Sequence, residues 1–376
     1  MRPLLIAFRY ALLQHGTIFE PEVLSTTASA RGTGKNLENR LSLQDCNFHI
    51  KNMLKSFPWA VAIIAARETL DTLARTIRAA EEASAGKDAI IDVLVNGNPD
   101  LAREAGAWVR ASARGSASVR VWFIARGDKA HAWNEYVHRI WPAGRTAFFL
   151  DGYAQPKPDG LTRLEASLAQ DANVLGATGV PSSGRSAPSL RERMVRDGGF
   201  HGNMHAISAD AMMQLCVAGV RLPLGLYRTD SLIGAILLFR LDPSSHQWDR
   251  RRIVVNPEAT WNISETTGLS LKNAVGQFKR RLRQAQGDLE NRAVRDHLSV
   301  RRAPVNAMPK TARELVLAWI DANPGEAKHL YMRNPFRLYA ANKLRAPQDW
   351  TAADRAPEMV CEVKHGVEAG RAGAAR

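Results

Sequence analysis

The chain has 376 residues, 45% hydrophobic and 23% charged, a composition that supports one large core or two ordinary ones and excludes wholesale disorder. Lys and Arg outnumber Asp and Glu 51 to 37, a formal charge of +14, which favours polyanionic partners such as nucleic acid, anionic lipid headgroups or phosphorylated small molecules. Cys46, Cys216 and Cys361 stand far apart without C-x-x-C spacing, which argues against a disulfide scaffold or a cysteine zinc site and points to a reducing, cytoplasmic setting.

The opening "MRPLLIAFRYALLQHG" is a short apolar run broken by Arg9 and Tyr10, a poor signal peptide. No stretch reaches the ~18 apolar residues of a membrane span, so any membrane association would be peripheral. Residues 17 to 56 are rich in Ser, Thr, Gly and Asn with little periodicity, and the reading over 1–56 is an N-terminal extension, partly disordered. "RGTGKN" within it fails as a phosphate-binding loop, because Ser29 stands where a glycine is needed and Asn36 where Ser or Thr is needed.

From residue 57 strands and helices alternate. "WAVAIIAAR" (59–67) predicts a buried strand, and Leu70, Leu73 and Ile77 follow it at helical spacing. "AIIDVLVNG" (89–97) leads through Pro99 into a second helix. "SVRVWFIAR" (118–126), the helix around "HAWNEYVHRIW" and "TAFFLDG" (146–152) complete four steps. The pattern predicts an α/β fold with a largely parallel sheet flanked by helices and any ligand at the carboxyl ends of the strands. Asp151 ends the fourth strand at that edge, where an acid holds ribose hydroxyls or a divalent metal; an Asp that caps the next turn is the competing reading.

Beyond residue 171 the alternation loosens. "VLGATGVP", "GNMHAIS" and "RRIVVNP" read as strands, and "ADAMMQLCVAG" and "TDSLIGAILLF" as helices. A long basic helix is expected over 268–298, then a Pro-broken helical region and a small, polar tail, "VEAGRAGAAR". His201 and His205 are four apart, but in loop and strand, so helical zinc geometry does not apply.

In this order the motifs resemble the family 2 glycosyltransferases, GT-A-fold enzymes that transfer a sugar from a nucleotide-sugar with inversion at the anomeric carbon. Arg67-Glu68 stands where the family has N-E after its first strand, and "VLVNGNPD" is similar to V-D-D-G-S-x-D without the base-contacting acid. "GDKAHAWN" is similar to G-K-x-x-A-x-N, with Gly127, Lys129 and Asn134 matching. "DGYAQPKPDGL" reproduces the first Asp of D-x-D, both prolines and the leucine, with Tyr153 in the second acid's place. The resemblance implies a GT-A-like domain over 57–265 and a basic helical region over 266–376. It also implies a nucleotide-sugar donor, an acceptor hydroxyl on a glycan, as in bacterial cell-surface polysaccharide synthesis, and a Mg²⁺ or Mn²⁺ cofactor.

Carried over residue by residue, the resemblance puts Ala65, Arg67, Asn96, Lys129, Asn134, Asp151, Gly152 and Tyr153 on the donor. Asp230 in "LYRTDSLIGAILL" becomes the base that deprotonates the acceptor, with Thr229 beside it as a helix cap on the acceptor side; apart from the resemblance, Gly202 and Asn203 would let an acceptor approach the backbone closely. A first-turn acid is itself stabilised by the helix dipole, by ~0.3–1 kcal/mol, so an ordinary helix-stabilising Asp is the competing reading of Asp230. A neutral phenol is a poor metal ligand. That leaves a metal held by Asp151 with help from elsewhere (His246 the candidate), a diphosphate neutralised by Arg250, Arg251, Arg280 and Arg281, or a chain that binds nucleotide or glycan without turnover. "QFKRR" (277–281) partly matches the Q-x-x-R-W of processive synthases, with Arg281 in the Trp position. A basic nucleic-acid or membrane-surface binder is the rival from another class. Aromatics are not interleaved with the basic runs, so no specific nucleic acid is expected.

Overall fold

The computed structural model describes residues 59–112, 117–184, 186–263 and 271–364, with the backbone alone over 271–280. The N-terminal extension with "RGTGKN", the final tail, and the side chains of Gln277 and Arg280 lie outside the described residues. The fold class is the expected one: α/β, a mostly parallel sheet flanked by helices, with a helical C-terminal region.

β1 (Trp59–Ala65) is buried at every position, the environment its unbroken apolar run requires. Its side chains alternate between two cores, Trp59, Val61, Ile63 and Ala65 facing one and Ala60, Ala62 and Ile64 the other, as the two-residue period of a strand dictates. β1 pairs in parallel with β2 (Ala89–Asn96) and β4 (Thr146–Asp151), and β2 with β3 (Ser118–Ile124). Between them run α1 (Leu70–Ala83), α2 (Pro99–Ser112) and α3 (Lys129–Glu135), the last continued by a π turn over Tyr136–Ile140. α1 and α2 cover the Trp59 face and α3 the other, so each crossover buries one face of the sheet.

The second half adds β5 (Ala154–Pro156), α4 (Gly160–Leu168), β6 (Gly176–Pro181), α5 (Ala187–Asp197), β7 (Met204–Ile207), α6 (Ala209–Val217), α7 (Thr229–Leu238) and β8 (Ile253–Ile263). The sheet order among the described residues is β5-β8-β6-β7-β4-β1-β2-β3-β9. β7 runs antiparallel between β4 and β6, with Leu150 opposite Met204. That register brings Gly202 and Asn203, just before β7, alongside Asp151, just at the end of β4; Asp151 N donates to Asn203 O at 3.3 Å.

The C-terminal region holds α8 (Leu271–Arg295), α9 (Ala312–Ala322), α10 (Pro324–Arg333) and α11 (Pro335–Arg345). Pro324 and Pro335 open their helices, where a missing N–H costs nothing. The region is not helical throughout: β9 (Glu358–Val363) pairs antiparallel with β3 and closes that edge of the sheet. Among the described residues no helix is long and apolar enough to cross a membrane.

Candidate active site

At the carboxyl ends of β1 and β4, Asp151 and Asp230 line one small cavity of about 10 Å³ together with Lys129, Gly202, Thr229 and His205. Asp151 closes β4. Asp230 lies in the first turn of α7, which points its N-terminus at this edge. Lys129 opens α3, whose start is fixed by Asp128: its Oδ2 accepts from His131 N (3.3 Å) and from Gly225 N (2.9 Å). One carboxylate thereby caps α3 and ties down the loop that leads to Asp230.

The Lys129 ammonium pairs with Asp151 and also feels the charge of Asp230. Its Nζ donates to Asp151 Oδ1 at 2.5 Å. Burial by itself would lower the Lys129 pKa, but the charges of Asp151, Asp230 and Glu68 and the bond to Asp151 prevail and leave it raised. Gly202 makes the arrangement fit. A Cβ there would stand 2.9 Å from Lys129 Nζ and 3.5 Å from Asp230 Oδ2, and the Gly202 N–H donates to Asp230 Oδ2 at 3.1 Å.

Asp151 Oδ2 faces Tyr153, whose hydroxyl donates to it at 3.1 Å. Burial, then the charge of Asp151 and that bond, push the Tyr153 pKa well above its ordinary value, so the phenol is neutral and serves as a donor. The hydrogen-bond network sets the Asn203 amide: Nδ2 donates to Asp151 Oδ2 (3.0 Å) and Oδ1 accepts from Trp261 Nε1 (3.0 Å). Gly152 is pressed onto β1, where a Cβ would meet the Ala65 Cβ at 2.8 Å.

Two neutral histidines stand by the cavity, His205 in its lining and His201 next to it, just before Gly202 in the chain. His205, stacked on Phe149 with centroids 5.0 Å apart, is lowered to about 3 by burial and by the Lys129 charge; its Nδ1 donates to His201 O at 3.0 Å. His201 is lowered by burial, an effect the Asp230 and Asp151 charges oppose. His201 Nδ1 accepts from Asn203 N at 3.2 Å, which leaves the ring proton on Nε2.

Several sequence-predicted residues stand elsewhere. Asn96 is buried and its Nδ2 donates to Ala65 O at 2.7 Å, so its amide nitrogen joins two strand ends instead of facing a base. Asn134 is buried with both polar atoms engaged by Leu222, Nδ2 to O at 2.9 Å and Oδ1 from N at 2.7 Å; it holds a loop. Arg67 is exposed at the end of β1. Arg250 and Arg251 precede β8, which is parallel to β6 with Ile253 opposite Gly176, and therefore lie at the opposite end of the sheet from Asp151. There Arg250 donates to Asp197 O and Arg251 pairs with Asp249 at 3.0 Å. His246 follows the far end of α7, a helix ~15 Å long at 1.5 Å per residue, and its N–H donates to Asp242 O; it does not join Asp151. Thr229 is the first helical residue, not the cap: Arg228 occupies the cap position without a side-chain bond. Arg281 lies on α8 at a second cavity with Arg228.

Two residues outside the predicted set shape the site. Glu68 Oε2 accepts from Ala66 N (2.7 Å) and Arg67 N (2.9 Å), which curls the chain after β1 and aims a carboxylate toward Gly152. Glu290, fully buried on α8, accepts from the N–H groups of Tyr227 (3.0 Å) and Arg228 (3.1 Å) and from Gln286 Nε2 (2.8 Å), bracing the segment that carries Asp230. The Arg67-Glu68 pair was visible as a motif; nothing near Glu290 in sequence signals its role.

No family model matches the chain, and no curated protein matches it. Among solved structures it is similar to mannosyltransferase PcManGT from Pyrobaculum calidifontis in complex with GDP-Man and Mn²⁺, at 16% identity and TM-score 0.48, covering 82% of this chain and 92% of that one. It is also similar to glucosyl-3-phosphoglycerate synthase from Mycobacterium tuberculosis in complex with Mn²⁺, UDP-Glc and phosphoglyceric acid, at 14% identity and TM-score 0.42, covering 67% and 83%. A third is S. aureus TarS 1–349 in complex with UDP-GlcNAc, at 10% identity and TM-score 0.42, covering 76% and 80%.

Proposed function

We propose that the chain is a GT-A-like inverting glycosyltransferase that moves a sugar from a nucleotide-sugar to an acceptor hydroxyl. The observation that carries this reading is the small cavity lined together by Asp151, Asp230 and Lys129, with the Lys129 ammonium bonded to Asp151. At this strand edge, Asp230 takes the proton of the acceptor hydroxyl as that oxygen bonds to C1 of the sugar. The C1–O bond to the diphosphate breaks with its electron pair leaving on the nucleotide, so a single displacement inverts the centre. The Gly202 N–H aims Asp230 by holding Oδ2. Lys129 faces the charge that develops on the diphosphate and needs no reorganisation to do so. Residues 57–265 supply these groups, and the C-terminal helices brace them through Glu290.

Asp151 is the carboxylate that would hold a divalent ion together with the donor's phosphates, and its Oδ1 is taken by the Lys129 ammonium in this structure. No group of three or more His, Cys, Asp and Glu able to hold a metal exists among the described residues, but Mg²⁺ is commonly held by one or two carboxylates and substrate phosphates. Mg²⁺ or Mn²⁺ bound by Asp151 with the diphosphate would supply Lewis-acid neutralisation of the leaving group. Tyr153 and Asn203 then serve to orient the carboxylate. The tyrosine in the second acid's position favours one other reading, a chain that binds the donor without turnover.

The test is nucleoside diphosphate release from a panel of UDP-, GDP- and dTDP-sugars, with and without Mg²⁺ or Mn²⁺, by the wild type and Asp230→Asn. Release by the wild type, abolished in the variant while donor binding persists, is expected. Binding without release in the wild type would support the reading without turnover, and neither binding nor release would remove both.

A further inference from the structure

The cavity that holds Arg281 lies between the start of α7, α8 and the start of α11. Its volume is about 420 Å³, and Arg228, Arg281, Gln284, Asp288 and Asn334 contribute to its lining; the size suits a small-molecule substituent. None of its lining residues belongs to the Asp151 cavity. The two spaces are nonetheless joined by chain: Arg228 stands two residues before Asp230.

Two features mark the cavity as built for an anion. Among the described residues neither Arg228 nor Arg281 has an ion-pair partner, whereas Asp288, the acid in the lining, is already paired with Arg337 at 2.9 Å. Glu290 is near Arg228, but its oxygens accept from two backbone N–H groups and Gln286. Second, α8 is shaped around Arg228. A Cβ at Gly287 would stand 2.6 Å from Arg228 Nε and 2.8 Å from its Cγ, so the guanidinium lies across the helix only because position 287 has no side chain. Arg228 Nε is shut from solvent there without an acceptor, and the guanidinium carbon is 5.9 Å from the Tyr227 ring centroid. An arginine held in place, with a second from α8 lining the same space and only the buried Glu290, already bonded to backbone N–H groups, as a nearby counter-charge to Arg228, is an arrangement that oxyanions satisfy by bidentate, charge-assisted bonds.

We propose that this cavity binds a phosphate-class oxyanion carried by the acceptor, positioning its hydroxyl toward Asp230. The inference rests on the reading of Asp230 as the acceptor's base. The donor's diphosphate is the other source of the same chemistry, and the acceptor is favoured because the donor side is already provided for at Lys129 and Asp151.

The experiment is calorimetric titration of the full chain with inorganic phosphate, sn-glycerol 3-phosphate and UDP, for the wild type, Arg228→Gln, Arg281→Gln and Gly287→Ala. Gly287→Ala keeps both charges and displaces one. Thermal melts without ligand verify that each variant is folded. The wild type is expected to bind both phosphates, and each variant to lose about tenfold or more in affinity for them while UDP binding stays within about twofold. Unchanged phosphate affinity in Arg228→Gln and Arg281→Gln, or no phosphate binding by the wild type, overturns the proposal. Loss of UDP affinity with phosphate binding intact also overturns it, by giving the two arginines to the donor. Because every readout is binding, absence of sugar transfer would count against the glycosyltransferase reading without touching this result.

Discussion

Lys129→Met removes one charge from the centre of the site and separates its structural role from its catalytic one. Lys129 Nζ is 2.5 Å from Asp151 Oδ1, with side chains 34% and 14% exposed. Solvent screens a pair so placed, so the folded state should lose only ~1 kcal/mol. Catalysis should lose far more. A preorganised donor aimed at developing charge is worth ~2.7–4 kcal/mol, about 10² to 10³ in kcat. The raised Lys129 pKa keeps the ammonium charged through neutral and mildly alkaline pH, so its deprotonation should put no alkaline limb on the rate below pH ~10. The assay is the initial rate of nucleoside diphosphate release at saturating donor, with urea unfolding of the same preparation. Lys129→Arg should recover part of the rate. A folded Lys129→Met protein whose kcat stays within about threefold of wild type would refute the claim that this ammonium acts on the leaving group.

Asp230→Asn keeps an acceptor for the Gly202 N–H and removes the base, so stability should change by less than ~1 kcal/mol while kcat falls by about 10² to 10⁴, measured on the same two assays. Tyr153→Phe deletes the donor to Asp151 Oδ2, at ~1 kcal/mol, and should alter the metal concentration that gives half-maximal activity more than it alters kcat with metal saturating. Gly152→Ala should destabilise by ~1–3 kcal/mol in urea, since its Cβ would meet Ala65 Cβ at 2.8 Å. His205 has a folded-state pKa of about 3 against an ordinary ~6.5, so between those values the unfolded chain binds the extra proton. Stability should therefore fall as pH drops below ~6.5, by at most ~1.4 kcal/mol per unit from this group, and His205→Asn should flatten the slope in melts from pH 7 to 4.

The first half of the sheet was legible because strands buried on both faces must be mostly apolar, and β1, β2 and β4 are, the interior exception being Asp92 of β2, which is paired with Arg120 at 2.7 Å. The edge that carries the candidate site followed from where β4 stops. What the sequence left hidden was determined by partners distant along the chain. Asn96 and Asn134 sit in the right motifs, yet their amides meet the carbonyls of Ala65 and Leu222, contacts that no local pattern encodes. Arg250 and Arg251 read as phosphate ligands until the parallel pairing of β8 with β6 puts them at the other end of the sheet. β9 is a short edge strand, half exposed, and lacks the apolar run that announces an interior one. Position 153 was read as a missing acid; the fold gives the phenol a donor's role toward Asp151.

The central claim is that donor and acceptor meet at the carboxyl ends of β1 and β4, beside the small cavity of about 10 Å³ that Asp151 and Asp230 line together. A crystal structure of Asp230→Asn with a nucleotide-sugar selected from the panel tests it directly. The account predicts the diphosphate against Lys129 and Asp151, with the sugar C1 turned toward position 230. A nucleotide bound anywhere else, or a sugar facing away from residue 230, would contradict it.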